Sequence, residues 1–221
     1  MPPRRPAERR PYAPRMSPEE RREQLLDAAL LLINEGGVKA VTVDAVARTA
    51  EVTRPVVYGQ FEDADDILRA LLDREAAAAL REFEASLPPE PGSGDPGRVA
   101  ARSLRVLLTA IAQNPRRWHA ILLPVGISPA PVQRRHRRIR AFVLERVTAF
   151  SAWGIEQRGL DLDPELLAHN LLCWVEECGR LILTEPDAYP PERLVAFSEQ
   201  MIALFFGGPA GEAGRDEPEA T

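Results

Sequence analysis

The chain has 221 residues, 45% of them apolar, and sets 28 Lys plus Arg against 33 Asp plus Glu for a net charge of −5. That balance excludes a globally basic nucleic-acid coat while leaving room for a local basic surface, and the apolar share excludes wholesale disorder. Cys173 and Cys178 cannot make a disulfide scaffold, no apolar run is long enough to span a bilayer, and no apolar leader opens the chain. The expectation is a cytoplasmic protein with no membrane partner.

Residues 1–16 stand apart. Five prolines and Arg4, Arg5, Arg9, Arg10 and Arg15 are opposed only by Glu8, which gives a net charge of +4. Proline blocks regular structure and little there is apolar, so a disordered basic arm is expected. Residues 208–221, rich in Gly, Pro and acids, read as a disordered tail. Between these ends the prolines fall at apparent helix boundaries, and no stretch alternates with period two.

The first helix opens at Ser17, with Glu20 completing a capping-box pattern, and closes at Gly36 and Gly37. Leu25, Ala29 and Leu32, with Leu26, Leu30 and Ile33, recur along it at helical spacing. Short helices follow at about 43–50 and 54–61, then a long one at about 65–86 reaching the Pro/Gly/Ser loop 88–97. Further helices are expected at about 98–113, 116–123, 132–157, 164–185 and 191–206. The fold class is therefore all-α. A small N-terminal helical domain at 17–63 precedes a larger helical domain at 64–207.

Residues 17–61 carry the functional signal. Two short helices flank the turn Glu51-Val52-Thr53, and Val43, Val46, Ala47, Val52, Val57 and Phe61 can share one small core with the first helix. That spacing is a helix-turn-helix, whose second helix is free to enter a major groove. Thr42 and Thr53 sit where each short helix needs an N-cap.

Within this stretch the chain resembles the tetracycline-repressor (TetR) family of bacterial regulators. The matching residues are Leu25-Leu26-Asp27-Ala28-Ala29, Gly37-Val38-Lys39-Ala40-Val41-Thr42-Val43, Val46-Ala47-Arg48, and Thr53-Arg54-Pro55-Val56-Val57-Tyr58-Gly59-Gln60-Phe61. The order, DNA-binding helices first and a long helical region after, matches as well. The resemblance implies a helix-turn-helix DNA-binding domain at 17–63 followed by a helical-bundle effector-binding and dimerisation domain at 64–207. Three departures stand out. Glu51 replaces the family's usual turn glycine, Gln60 its common histidine, and Ala64 its usual lysine, within the acidic run 62–66.

The resemblance assigns roles by position. Arg54 would read a base, Pro55 and Val56 would face a thymine methyl, and Thr42, Thr53 and Tyr58 would clamp phosphates, with Lys39 and Gln60 as weaker additions. Other readings compete with two of these: an Arg on a helix face that is merely solvated, and a Tyr58 ring packed in the core. The partners implied are a double-stranded operator, a second copy of the chain and a small effector, with no cofactor. The competing functional classes are a regulator without a small-molecule effector and an all-helical enzyme lacking any recognisable motif.

Trp118, His119, Phe142, Phe150, Trp153, His169, Trp174 and Arg180 are candidates to line an effector pocket, although aromatics at helical spacing are also ordinary core. Leu167, Leu171, Cys178, Leu194, Phe197, Met201 and Leu204 lie on broad apolar faces of the last two helices and are candidates for a two-fold interface. Arg134, Arg135, His136, Arg137, Arg138 and Arg140 read either as a solvated face or as a site for an anionic effector or acidic surface. His119, His136, His169 and the cysteines show no metal spacing. No GxSxG, P-loop or GxGxxG occurs, so neither catalytic nor metal residues are expected.

Overall fold

A computed structural model describes residues 16–88, 94–122 and 130–206, with side chains omitted at 130–136 and 204–206. Among the described residues the chain is all-helical: α1 (Pro18–Gly36), α2 (Val43–Thr49), α3 (Arg54–Tyr58), α4 (Ala64–Ser86), α5 (Pro96–Gln113), α6 (Pro115–Leu122), α7 (Ala130–Arg158), α8 (Pro164–Thr184) and α9 (Pro191–Phe206). A 3-10 turn at Val38–Ala40, which the sequence pattern did not suggest, links α1 to α2.

The capping box forms as the sequence reads. Ser17 Oγ accepts from the Glu20 N–H at 3.1 Å, and the Ser17 N–H donates to Glu20 Oε2 at 2.7 Å. At the other end Gly37 turns the chain with φ +72°, and a Cβ on Gly36 would lie 2.8 Å from Ala40 Cβ. Both glycines are thus required by geometry. Aspartates cap three later helices: Asp63 before α4, Asp95 before α5 and Asp163 before α8.

The buried apolar residues form two cores. The first gathers Leu25, Ala29 and Ile33 from α1, Val46 and Ala47 from α2, Val57 from α3, Phe61, and Ile67 and Leu71 from α4. The second gathers Ala79 and Phe83 from α4, Leu104, Leu108 and Ile111 from α5, Cys178 and Ile182 from α8, and Leu194 and Val195 from α9. Each fully buried Leu, Ile or Phe contributes about 1.5–3 kcal/mol. Two helices belong to both cores. The first half of α4 packs in the first core and its second half in the second, while α6 gives Ala120 to the first and Trp118 to the second.

Boundaries differ from expectation in physically simple ways. Helices α5 and α7 begin two residues early because a proline is compatible with a first turn. Helix α3 stops at Tyr58 rather than Phe61, and Gly59 and Gln60 turn the chain so that the Phe61 ring enters the first core. The basic arm at 1–15, the tail at 208–221, and the side chains of Leu204, Arg134, Arg135 and His136 lie outside the described residues.

Candidate nucleic-acid interface

The helix-turn-helix is held from beneath. Val46 and Ala47 of α2 and Val57 of α3 are buried against α1, which fixes the angle between the two short helices. Thr42 Oγ1 accepts from the Ala45 N–H at 3.1 Å and caps α2. In the turn the Val52 N–H reaches the Ala47 carbonyl at 2.9 Å. Glu51 adopts φ 54°, the only non-glycine residue with positive φ among the described residues. The family's usual glycine at this position therefore has a conformational reason, and glutamate holds the turn under strain.

Two side chains of α1 brace the motif, and neither stood out in the sequence. Arg22 Nη1 donates to the Gln60 carbonyl at 2.9 Å while its guanidinium lies 4.2 Å from the Phe61 ring centroid. Gln24 Nε2 donates to the Ala50 carbonyl at 3.1 Å, at the end of α2. Both residues flank the apolar stripe of α1, where polar residues ordinarily face solvent, so periodicity alone could not single them out.

The outer face of α3 presents Arg54, Pro55, Val56 and Tyr58, all exposed. Tyr58 is 58% exposed, so its ring is not core. Thr42 and Lys39 are exposed beside this face, and Gln60 is half-buried. Thr53 occupies the N-cap position of α3 but makes no side-chain cap bond, which corrects the capping role expected of it and leaves its hydroxyl free. Arg54 is not simply solvated either: its Nε and Nη2 pair with the two carboxylate oxygens of Asp44 on α2.

Where the motif meets the rest of the chain, a charged network adds to the apolar packing of the first core. Glu75 of α4, 2% exposed, receives Arg74 Nη2 at 2.7 Å on one oxygen and Arg117 Nε at 3.0 Å on the other. Arg74 continues to Glu23 and Asp27 of α1 at 2.8 and 2.9 Å. Burial works against the Arg74 charge, but its bonds to Glu23 and Glu75 outweigh that and raise its pKa. Glu82 pairs with Arg117 and accepts the Trp118 Nε1–H at 2.7 Å. Helices α1, α4 and α6 are tied together through these groups.

Residues 25–71 match the family model described as "Bacterial regulatory proteins, tetR family". Over that stretch the chain is similar to the DNA-binding region of TetR-family regulators. A curated relative, the HTH-type transcriptional repressor KstR of Rhodococcus jostii strain RHA1, is 32% identical over 45% of this chain and 42% of its own length. The chain spans less than half the length of the curated relatives it matches. Among solved structures, a TetR-like regulator from Rhodococcus sp. RHA1 aligns with TM-score 0.72 at 19% identity, covering 86% of this chain and 99% of that one. FadR from Bacillus subtilis in complex with stearoyl-CoA aligns with TM-score 0.63 at 20% identity, covering 84% and 98%. At these identities the structures show a shared fold.

Beyond the matched stretch the eight effector-side candidates are scattered. Trp118 is buried and its indole N–H is used by Glu82, which leaves it no polar atom to offer a ligand. Phe142 is 39% exposed on α7. Phe150 and Trp153 touch, with ring centroids 5.4 Å apart. Trp174 meets Phe197 at a tilt, with ring centroids 5.5 Å apart, and donates to Ser198 Oγ at 2.9 Å. His169 is half-buried, and Arg180 pairs with Glu177 of its own helix. Buried His119 Nδ1 and Trp153 Nε1 find no hydrogen-bond partner among the described residues.

None of the eight lines either of two open clefts. One, of about 700 Å³, is polar and borders the Glu75 network. The other, of about 440 Å³, lies between α5, α7 and α9.

Of the interface candidates, Cys178 and Leu194 are buried within the chain's own second core, at 0% and 5% exposure, which removes both from any subunit face. Burial also pushes the Cys178 thiol up to about 11. Leu167, Leu171 and Met201 are half-buried and Phe197 is 46% exposed; Leu162 and Leu166 are 49% and 62% exposed. In the basic run Arg137 and Arg138 are exposed, and Arg140 pairs with Glu176 of α8 at 3.2 Å. Among the described residues there is no cluster able to hold a metal ion and no helix long and apolar enough to cross a membrane.

Proposed function

We propose that the protein is a cytoplasmic DNA-binding transcriptional regulator, a homodimer that reads a palindromic operator and is released from it by a small, largely apolar ligand. The observation that carries this reading is the two-sided character of α3. Val57 is fully buried and fixes the helix, while Arg54, Pro55, Val56 and Tyr58 face outward and stay exposed. A rigid helix offering one cation, two apolar groups and a phenol suits a major groove.

Arg54 would pair with guanine, Pro55 and Val56 would meet a thymine methyl, and Thr42, Thr53, Tyr58, Lys39 and Gln60 would bind phosphates. Release follows if the ligand favours a conformation whose two recognition helices are wrongly spaced for the operator. The solved relative FadR is described with stearoyl-CoA bound, which supports an effector with a large apolar part. The unpartnered buried nitrogens of His119 and Trp153 suit the few polar anchors such a pocket needs. The exposed Leu162, Leu166 and Phe197 at the α8 and α9 surface suit a two-fold partner that would set the half-site spacing.

The test is retardation of DNA upstream of the protein's own coding sequence at moderate salt, with excess unrelated duplex as competitor. The reading expects a specific complex that dissolves on adding an acyl thioester or another apolar ligand that raises the melting temperature. Retardation that the competitor abolishes would refute sequence-specific binding. A specific complex that no stabilising ligand dissolves would favour a regulator without a small effector.

A further inference from the structure

The Arg54–Asp44 pair has a geometry that bears on how a base would be read. Asp44 engages Nε and Nη2, the side-on edge of the guanidinium, with one oxygen on each. The end-on edge, formed by Nη1 and the second hydrogen of Nη2, is left free, and Arg54 remains 63% exposed. A guanidinium carries five N–H donors in a fixed plane, so holding one edge sets the direction of the other. The end-on edge is the fork that matches guanine O6 and N7.

The carboxylate is itself anchored. Asp44 lies in the first turn of α2, which is capped by Thr42 and pinned by buried Val46 and Ala47. An acid at this place opposes the approach of phosphates, on a motif whose residues 17–61 already net −2. A positioning role accounts for an acid where general attraction to DNA would disfavour one.

We propose that Asp44 is a positioning residue for base reading, holding the Arg54 guanidinium side-on so that its free fork is presented to guanine. This rests on the DNA-binding reading above. Without the carboxylate the long arginine side chain must be immobilised when DNA binds, and guanine recognition bears that entropy cost. An incidental surface ion pair would leave base preference untouched.

The experiment uses the full-length protein and the duplex recovered by selection from random DNA. Affinities for that duplex, for each single-base variant and for an unrelated duplex are measured for wild type, Arg54→Ala, Asp44→Asn and the double variant. Asp44→Ser, a residue suited to a helix first turn, repeats the test, and circular dichroism checks folding. Arg54→Ala is expected to flatten preference at one guanine per half-site by about 5- to 150-fold. Asp44→Asn and Asp44→Ser should flatten the same position by about two- to tenfold. Both should also bind unrelated duplex more tightly, because an opposing charge is gone. In the Arg54→Ala background Asp44→Asn should change base preference no further.

If Arg54→Ala flattens a position that Asp44→Asn and Asp44→Ser leave intact, the positioning role is overturned while base reading by Arg54 stands. If Arg54→Ala changes no preference at all, both fall together.

Discussion

Glu51→Gly should make the protein more stable and its grip on DNA tighter, for two separable reasons. The backbone at Glu51 has φ 54°, where a residue with a Cβ is strained by about 1–2 kcal/mol. Glycine removes that strain but loses more chain entropy on folding, roughly 0.5–1 kcal/mol. A net gain of about 0.5–1 kcal/mol remains, or about 2 °C in melting temperature for a chain of this size. The substitution also deletes an exposed negative charge in the turn that precedes α3. Within a Debye length of about 8 Å this should raise affinity for any duplex roughly two- to threefold at physiological salt. Glu51→Ala separates the two effects, because it removes the charge and keeps the strain. Both variants should bind DNA equally better than wild type, and only the glycine variant should melt higher. Denaturant unfolding and fluorescence anisotropy read the two quantities. An alanine variant as stable as the glycine variant would refute the strain argument.

Glu75→Gln should destabilise by about 2–4 kcal/mol in urea unfolding, at the low end of the range for breaking a buried pair because Arg74 and Arg117 are each about a quarter exposed; a change below about 0.5 kcal/mol would show the network to be ornamental. Asp95→Ala should cost about 0.5–2 kcal/mol by uncapping α5. The Asp95 carboxyl is held below its ordinary value of 3.8, chiefly by the Arg98 N–H and then by Arg158 against a desolvation effect, so its contribution is full above that value. The gap between wild type and Asp95→Ala should close as pH falls through the lowered folded value, and a gap that widens in acid would contradict the sign. Deleting residues 1–15 should weaken binding to every duplex and lower the log–log salt slope by about 1 for each phosphate no longer neutralised, with base preference intact. An unchanged slope would make those residues an inert leader.

The helices were legible because their ends carry chemistry that acts locally. Ser17 with Glu20 and Gly37 mark the ends of α1 through bonds to nearby residues, and prolines mark the starts of α5, α6, α8 and α9. The motif was legible because Val46, Ala47, Val57 and Phe61 must converge on α1 for such short helices to hold. What the sequence concealed were bonds between distant residues. The Arg54–Asp44 pair spans ten residues, and Arg22 reaches Gln60 across 38. The Glu75 network draws on three helices. Cys178 and Leu194 looked like subunit-face residues because a helix buried against its own chain and one buried against a partner share the same apolar period.

The central claim is that α3 reads base sequence from a major groove, and selection of duplexes from a random library by the full-length protein tests it most directly. The account predicts enrichment of a palindrome whose half-sites lie a whole number of helical turns apart, with a guanine in each half-site that loses its enrichment when selection is repeated with Arg54→Ala. A library that emerges unenriched at moderate salt, or enriched identically by wild type and Arg54→Ala, would contradict it.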